Sequence, residues 1–214
     1  MLTLLRNRKI MVVIVGLVTL TFLVGFAGIF GLGGLGEPAE SGQGESQADQ
    51  VAAYVDSLQE EIGSVEELLK EGPDAAYYQY LGDLYFQLAQ TRDYFYQADP
   101  TEDLLKAEDS YRKAYETGPE QGEMLLSLAI TRTALEKYPE AGENYRSVLE
   151  QYPDYFEARI SYANMLYLAG DPGEGDLQLA RAQELADSDE QMQMIRDVED
   201  FARSLENEQE QSDD

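Results

Sequence analysis

Carboxylates and tyrosines are the chemistry-bearing side chains this sequence holds in quantity: 42 Asp and Glu and 15 Tyr, with no His and no Cys in 214 residues. Without histidine the usual general base and the commonest metal ligand are missing, and neither a Ser-His nor a Cys-His nucleophile pair can be assembled. Without cysteine there is no disulfide, no thiolate metal site and no thiol for a lipid anchor. Catalysis would need one carboxylate or tyrosine set apart from its many counterparts, and no pair is set apart. The expectation is therefore a protein that is not an enzyme and takes no cofactor or metal. One acidic cluster, Asp171 with Glu174 and Asp176, lacks the spacing of a calcium loop. Helix capping accounts for it: Asp171 serves as N-cap, Pro172 fits the first helical position, Glu174 reaches back, and Gly170 closes the helix before.

The charge is unevenly placed. Arg6, Arg8 and Lys9 precede an apolar run, and the first acidic residue is Glu37. From residue 33 onward there are 12 Lys and Arg against 42 Asp and Glu, a formal charge of −30. Such a surface repels nucleic acid and anionic lipid, so no nucleic-acid partner is expected. Solubility, or adaptation to a salty or alkaline habitat, is the first reading of the acidity; docking of a basic partner is the other.

These side chains need elements to position them. Ile10 to Phe30 is a run of 21 residues without a charge, which as a helix would rise about 32 Å and cross a hydrocarbon core. The sequence thus predicts a cytoplasmic start over 1–9, a transmembrane helix over 10–32 and a flexible linker over 33–49, rich in Gly, Ser, Gln and Glu. The basic flank places the carboxyl-terminal body outside the cytoplasm. A cleaved signal peptide is the competing expectation, since Gly25-Phe26-Ala27 offers small residues for a peptidase, but the apolar run is long for one. Gly16, Gly25 and Gly28 would suit helix pairing in the membrane.

From Gln50 onward apolar residues recur at helical spacing between Pro, Gly and Asp punctuation, so the body is expected to be all-α. It also repeats. Ala107, Tyr111, Ala114 and Pro119 are followed 34 residues later by Ala141, Tyr145, Val148 and Pro153, and again by Gly175, Leu179, Ala182 and Asp187. A partner set precedes each, beginning with Tyr78, Leu81, Gly82 and Tyr85. This period, with small residues where helices touch and aromatics between, resembles the tetratricopeptide repeat, a helical hairpin that stacks into a superhelix. The resemblance covers about residues 75–189. It departs from the family at Arg132, where an aromatic is favoured, and at Gly175 and Asp187.

The domain expected from it spans 50–206. Its repeats lie at about 75–121, 122–155 and 156–189, a capping helix covers 190–206, and an acidic tail covers 207–214. A helix from Val51 to Leu69 is expected to cover the first repeat. That repeat is longer than the others: Leu81 to Leu128 is 47 residues where Leu128 to Tyr162 is 34. The extra 13 residues predict a protruding hairpin that turns at Asp99-Pro100-Thr101, with Thr101 capping a helix through Tyr115. Tyr94, Phe95 and Tyr96 near its tip cannot all face one neighbour. They are expected either to meet a partner or to lie against the helix over 51–70.

In the family the first helix of each pair lines a concave groove. The resemblance therefore implies groove residues Gln79, Asp83, Phe86, Leu126, Ile130, Ile160, Asn164 and Tyr167, a largely apolar set suited to an amphipathic helix or extended peptide. The function expected is a membrane-anchored, extracytoplasmic scaffold or adaptor for a protein or peptide partner. A self-associating spacer is the structural alternative. Short start, span, tether and repeats are also similar in layout to the accessory repeat proteins of cytochrome c maturation, which implies a third, chaperone-like role.

Overall fold

The computed structural model describes residues 46–118 and 122–213, with side chains through 208. The expected cytoplasmic start, the span over 10–32, most of the linker, Pro119 and the last residue of the tail lie outside the described residues. No described helix is long and apolar enough to cross a membrane.

The described fold is all-α. Eight helices and no strand occur among the described residues: α1 Gln47–Glu71, α2 Ala75–Tyr96, α3 Thr101–Thr117, α4 Gly122–Ala134, α5 Tyr138–Gln151, α6 Phe156–Ala169, α7 Pro172–Leu185 and α8 Asp189–Asp213. The most intimate pairs are α2 with α3, α4 with α5 and α6 with α7. Turns of two to four residues join them, which forces each pair into an antiparallel hairpin. In front of the first hairpin α1 lies along α2, while α8 packs on α6 and α7 at the far end.

The core is built in three parts, each shared by consecutive layers. Leu58, Ile62 and Val65 of α1 join Leu84, Leu88, Leu104 and Tyr111 of the first hairpin, and Leu128 of α4 closes that group. Tyr145 and Val148 form the second part with Ala158, Tyr162 and Met165 of α6. The Tyr145 and Tyr162 rings stack there with centroids 5.3 Å apart. Ile160, Ala163 and Tyr167 meet Leu179 and Ala182 of α7 and Ile195 and Val198 of α8 in the third. No hairpin buries its apolar face alone, so each depends on its neighbour.

In the first and third hairpins a glycine makes room for a tyrosine ring of the facing helix. A Cβ on Gly82 would lie 2.7 Å from the Tyr111 ring, and one on Gly175 would lie 2.9 Å from the Tyr167 ring. In both, the next residue takes the tyrosine hydroxyl: Tyr111 donates to Asp83 at 2.6 Å and Tyr167 to Asp176 at 2.7 Å. Gly175, a departure from the repeat pattern, is thus the space that the Tyr167 ring fills.

Helix ends differ from expectation in three places. The first helix begins at Gln47, inside the expected linker, because Ser46 and Asp49 form a capping box: the Ser46 hydroxyl accepts from Asp49 N–H at 3.2 Å, and the Asp49 carboxylate accepts from Ser46 N–H at 3.1 Å. Thr101 is the first residue of α3 and not its cap, since the Asp99 carboxylate accepts from its N–H at 2.9 Å and its hydroxyl at 2.6 Å. Finally, α8 continues to Asp213 through the expected tail, where Glu and Gln favour the helix and neither Gly nor Pro stops it.

Candidate functional site

Antiparallel pairing sorts the ends of the helices into two sets. One end of the stack collects the amino-terminal turns of α2, α4 and α6 and the last turn of α5. At this end lies an open cleft of about 710 Å³, lined by Gln79, Gly122, Glu123, Met124 and residues 151–155. Its floor and walls come from three elements: the second turn of α2, the first turn of α4 and the turn between α5 and α6.

That last turn is held firmly. Tyr152 N–H donates to Val148 at 2.8 Å and Tyr155 N–H to Tyr152 at 3.1 Å. The Pro153 carbonyl accepts from Arg159 twice, from Nε at 3.0 Å and Nη2 at 2.6 Å. Tyr152 lies with its ring against Gly122, where any Cβ would clash with it, and meets Tyr155 edge-on with centroids 6.4 Å apart. Even so, Tyr152 stays 49% exposed at the mouth.

The electrostatics of the cleft are one-sided. Glu123 and Asp154 are exposed, and among the described residues neither has a cation or hydrogen-bond donor on its side chain. The Arg159 guanidinium beside them is spent on the Pro153 carbonyl and on Gln178. Burial first, then the charges of Glu123 and Glu157, pushes the Tyr155 hydroxyl up. Burial likewise raises the Asp83 carboxyl; the Tyr111 hydrogen bond opposes this and the Glu123 charge adds to it. Two aromatic faces and two exposed carboxylates on a rigid frame suit a cationic group, which gains from both.

No protein-family model matches the chain, and no curated protein does. Among the described residues no cluster of three or more His, Cys, Asp or Glu is arranged to hold a metal ion.

The residues assigned to a groove divide sharply. Gln79 lines the cleft, and Asp83 sits one turn further along the same helix. Ile130 is half-buried at the boundary of the first and second core groups. Phe86, Leu126, Ile160, Asn164 and Tyr167 are buried, with Ile160 at 0% and Asn164 at 2% exposure. Neighbours of the same chain cover them: Phe86 shares the first core group with α1, and Ile160 and Tyr167 share the third with α8. For Phe86, Ile160 and Tyr167 the amphipathic helices at the two ends of the stack supply the apolar partners, while Leu126 packs in the second core group between them.

At the opposite end of the stack, Tyr94, Phe95 and Tyr96 close α2 in the open. Tyr94 is 62% exposed and Tyr96 50%, and the Tyr94 and Phe95 rings meet edge-on at 4.8 Å. Beneath them the hairpin is tied by Arg92, whose Nη1 meets the buried Asp103 carboxylate at 2.7 Å. Sequence reasoning found these aromatics but missed Glu123, Asp154 and Tyr152. Only the pairing of helix ends brings 122–124 beside 151–155.

Proposed function

We propose that the chain is a membrane-anchored, extracytoplasmic adaptor of tetratricopeptide-like hairpins, and that its cleft at Gln79, Glu123, Tyr152 and Asp154 holds a basic segment of a protein partner. The observation that carries this reading is a pair of exposed carboxylates, Glu123 and Asp154, with no cation on either among the described residues, beside the Tyr152 and Tyr155 rings of a clamped turn. A lysine or arginine entering there would meet negative charge and an aromatic face, and the −30 charge of the body would draw a basic partner toward the cleft. Support for the repeat assignment comes from the three hairpins with their cores shared layer by layer, and from the 34-residue period of the sequence. Support for the anchor comes from the uncharged run over Ile10 to Phe30 with its basic flank. A role in cytochrome c maturation rests on the layout of span, tether and repeats alone.

The test uses the full chain in lipid nanodiscs as bait for proteins of a membrane extract, beside the double variant Glu123→Lys, Asp154→Lys. Both positions are exposed, so the fold is expected to survive, with unchanged helical circular dichroism. Loss of one defined protein from the variant supports the adaptor. Identical capture by both baits, or recovery of nothing but further copies of the chain, contradicts it and favours a self-associating spacer. Changes at Tyr167 would be a poor probe, since its ring is core and its hydroxyl is bonded to Asp176.

A further inference from the structure

The packing of α1 fixes which end of the stack the start of the described chain occupies. Tyr54 of α1 donates to Gln87 of α2 at 3.0 Å, and the Tyr80 hydroxyl reaches back to Glu61. The two helices therefore run antiparallel, and extending that register sets Ser46 beside the last turn of α2. The residues in that turn are Tyr94, Phe95 and Tyr96, and exposed Leu105 stands just across the hairpin turn on α3. Thus the exposed aromatic tip and the start of the described chain share one end of the molecule, while the acidic cleft occupies the other.

Resting on the anchored reading above, we propose that this tip is a membrane-contacting foot: Tyr94, Phe95 and Tyr96 lie in the headgroup region of the bilayer that holds the span. Thirteen residues, 33–45, separate the expected span from Ser46, and a coil of that length covers about 20 Å on average. A tether of that kind would keep the tip within reach of the surface. Tyrosine is one of the residues that favour such a position, having an apolar ring and a hydroxyl that stays in the wet layer, and Phe95 adds a purely apolar ring between Tyr94 and Tyr96. Asp99 and Glu102 flank the tip, so the lipid it suits is zwitterionic and not anionic. The 22 residues of α2 rise about 33 Å, which would stand the cleft well clear of the bilayer and turn its mouth toward a partner.

The chain contains no tryptophan, so single substitutions give an unambiguous depth probe. Phe95→Trp, Tyr152→Trp and Phe22→Trp would each be made in the full chain and reconstituted in phosphatidylcholine vesicles, with and without brominated acyl chains. The foot predicts that brominated lipid lowers indole emission from position 95 about twofold and leaves emission from position 152 unchanged, as expected for an interfacial and a distant site. Quenching at position 22 without quenching at position 95 would overturn the foot and leave the anchor standing. Absence of quenching at position 22 would overturn the anchor itself, and the foot with it.

Discussion

Glu108 and Asp83 are both partly buried carboxyls, yet their surroundings push them in opposite directions. For Glu108, burial alone would raise the carboxyl, but hydrogen bonds from Lys137 and Arg132 outweigh it and hold the group below the usual range. Arg132 Nε lies 2.9 Å and Lys137 Nζ 2.5 Å from its oxygens. A depressed folded value means stability that is present above the unfolded value near 4.3 and lost as pH falls through the folded one. Glu108→Gln should cost roughly 1–3 kcal/mol at neutral pH, and urea midpoints should show that gap closing in acid. Asp83 is raised, so its ionised form is what the fold disfavours. Asp83→Asn should add stability at neutral pH, and the gain should vanish below the usual carboxylate range, measured by the same titration of urea midpoints. At this scale the sequence is half legible. Arg132 stands out as the wrong residue for an aromatic layer, but its partner lies 24 residues upstream and no local pattern joins the two.

The helix pairs are easier to read than their ends. A 34-residue period and small residues at Gly82, Ala129 and Ala163 point to hairpins whose backbones approach closely, and those positions are indeed buried. Gly82→Ala would drive a methyl into the enclosed Tyr111 ring and should cost about 1–3 kcal/mol. Gly173→Ala, in α7, meets nothing within 4 Å and should add roughly 0.5–1 kcal/mol through helix propensity and lost unfolded-state freedom. Thermal melts of the two variants should move in opposite directions. The protruding hairpin is legible from the 13 extra residues of the first repeat. Its stiffening is not, because Arg92 and Asp103 lie on different helices and find each other only once the turn is made. Removing the guanidinium in Arg92→Ala strands a buried carboxylate, so a loss of about 3 kcal/mol is expected in denaturant unfolding. The caps escape for a smaller reason: Asp49 replaces the Glu of a capping box, and Asp99 takes the role assigned to Thr101.

Over the whole molecule, the decisive difference between sequence and structure concerns what covers the apolar faces. Periodicity identifies the apolar face of α6 correctly, but the same pattern results whether a ligand or another helix lies on it. Here α8 brings Ile195 and Val198 to Ile160 and Tyr167. The part of that surface formed by Ile160 and Tyr167 is thereby covered from within, and exposed chemistry is found at the ends of the stack. One end carries the acidic, tyrosine-flanked cleft and the other the aromatic tip beside the start of α1. A photo-crosslinking amino acid placed at Tyr152, with Leu177 of α7 as an exposed position outside the cleft lining, tests this arrangement most directly in intact membranes. The adaptor account predicts one dominant adduct from position 152, abolished by Glu123→Lys and absent from position 177. Equal adducts from both positions, or an adduct of twice the chain mass from position 152, would contradict it.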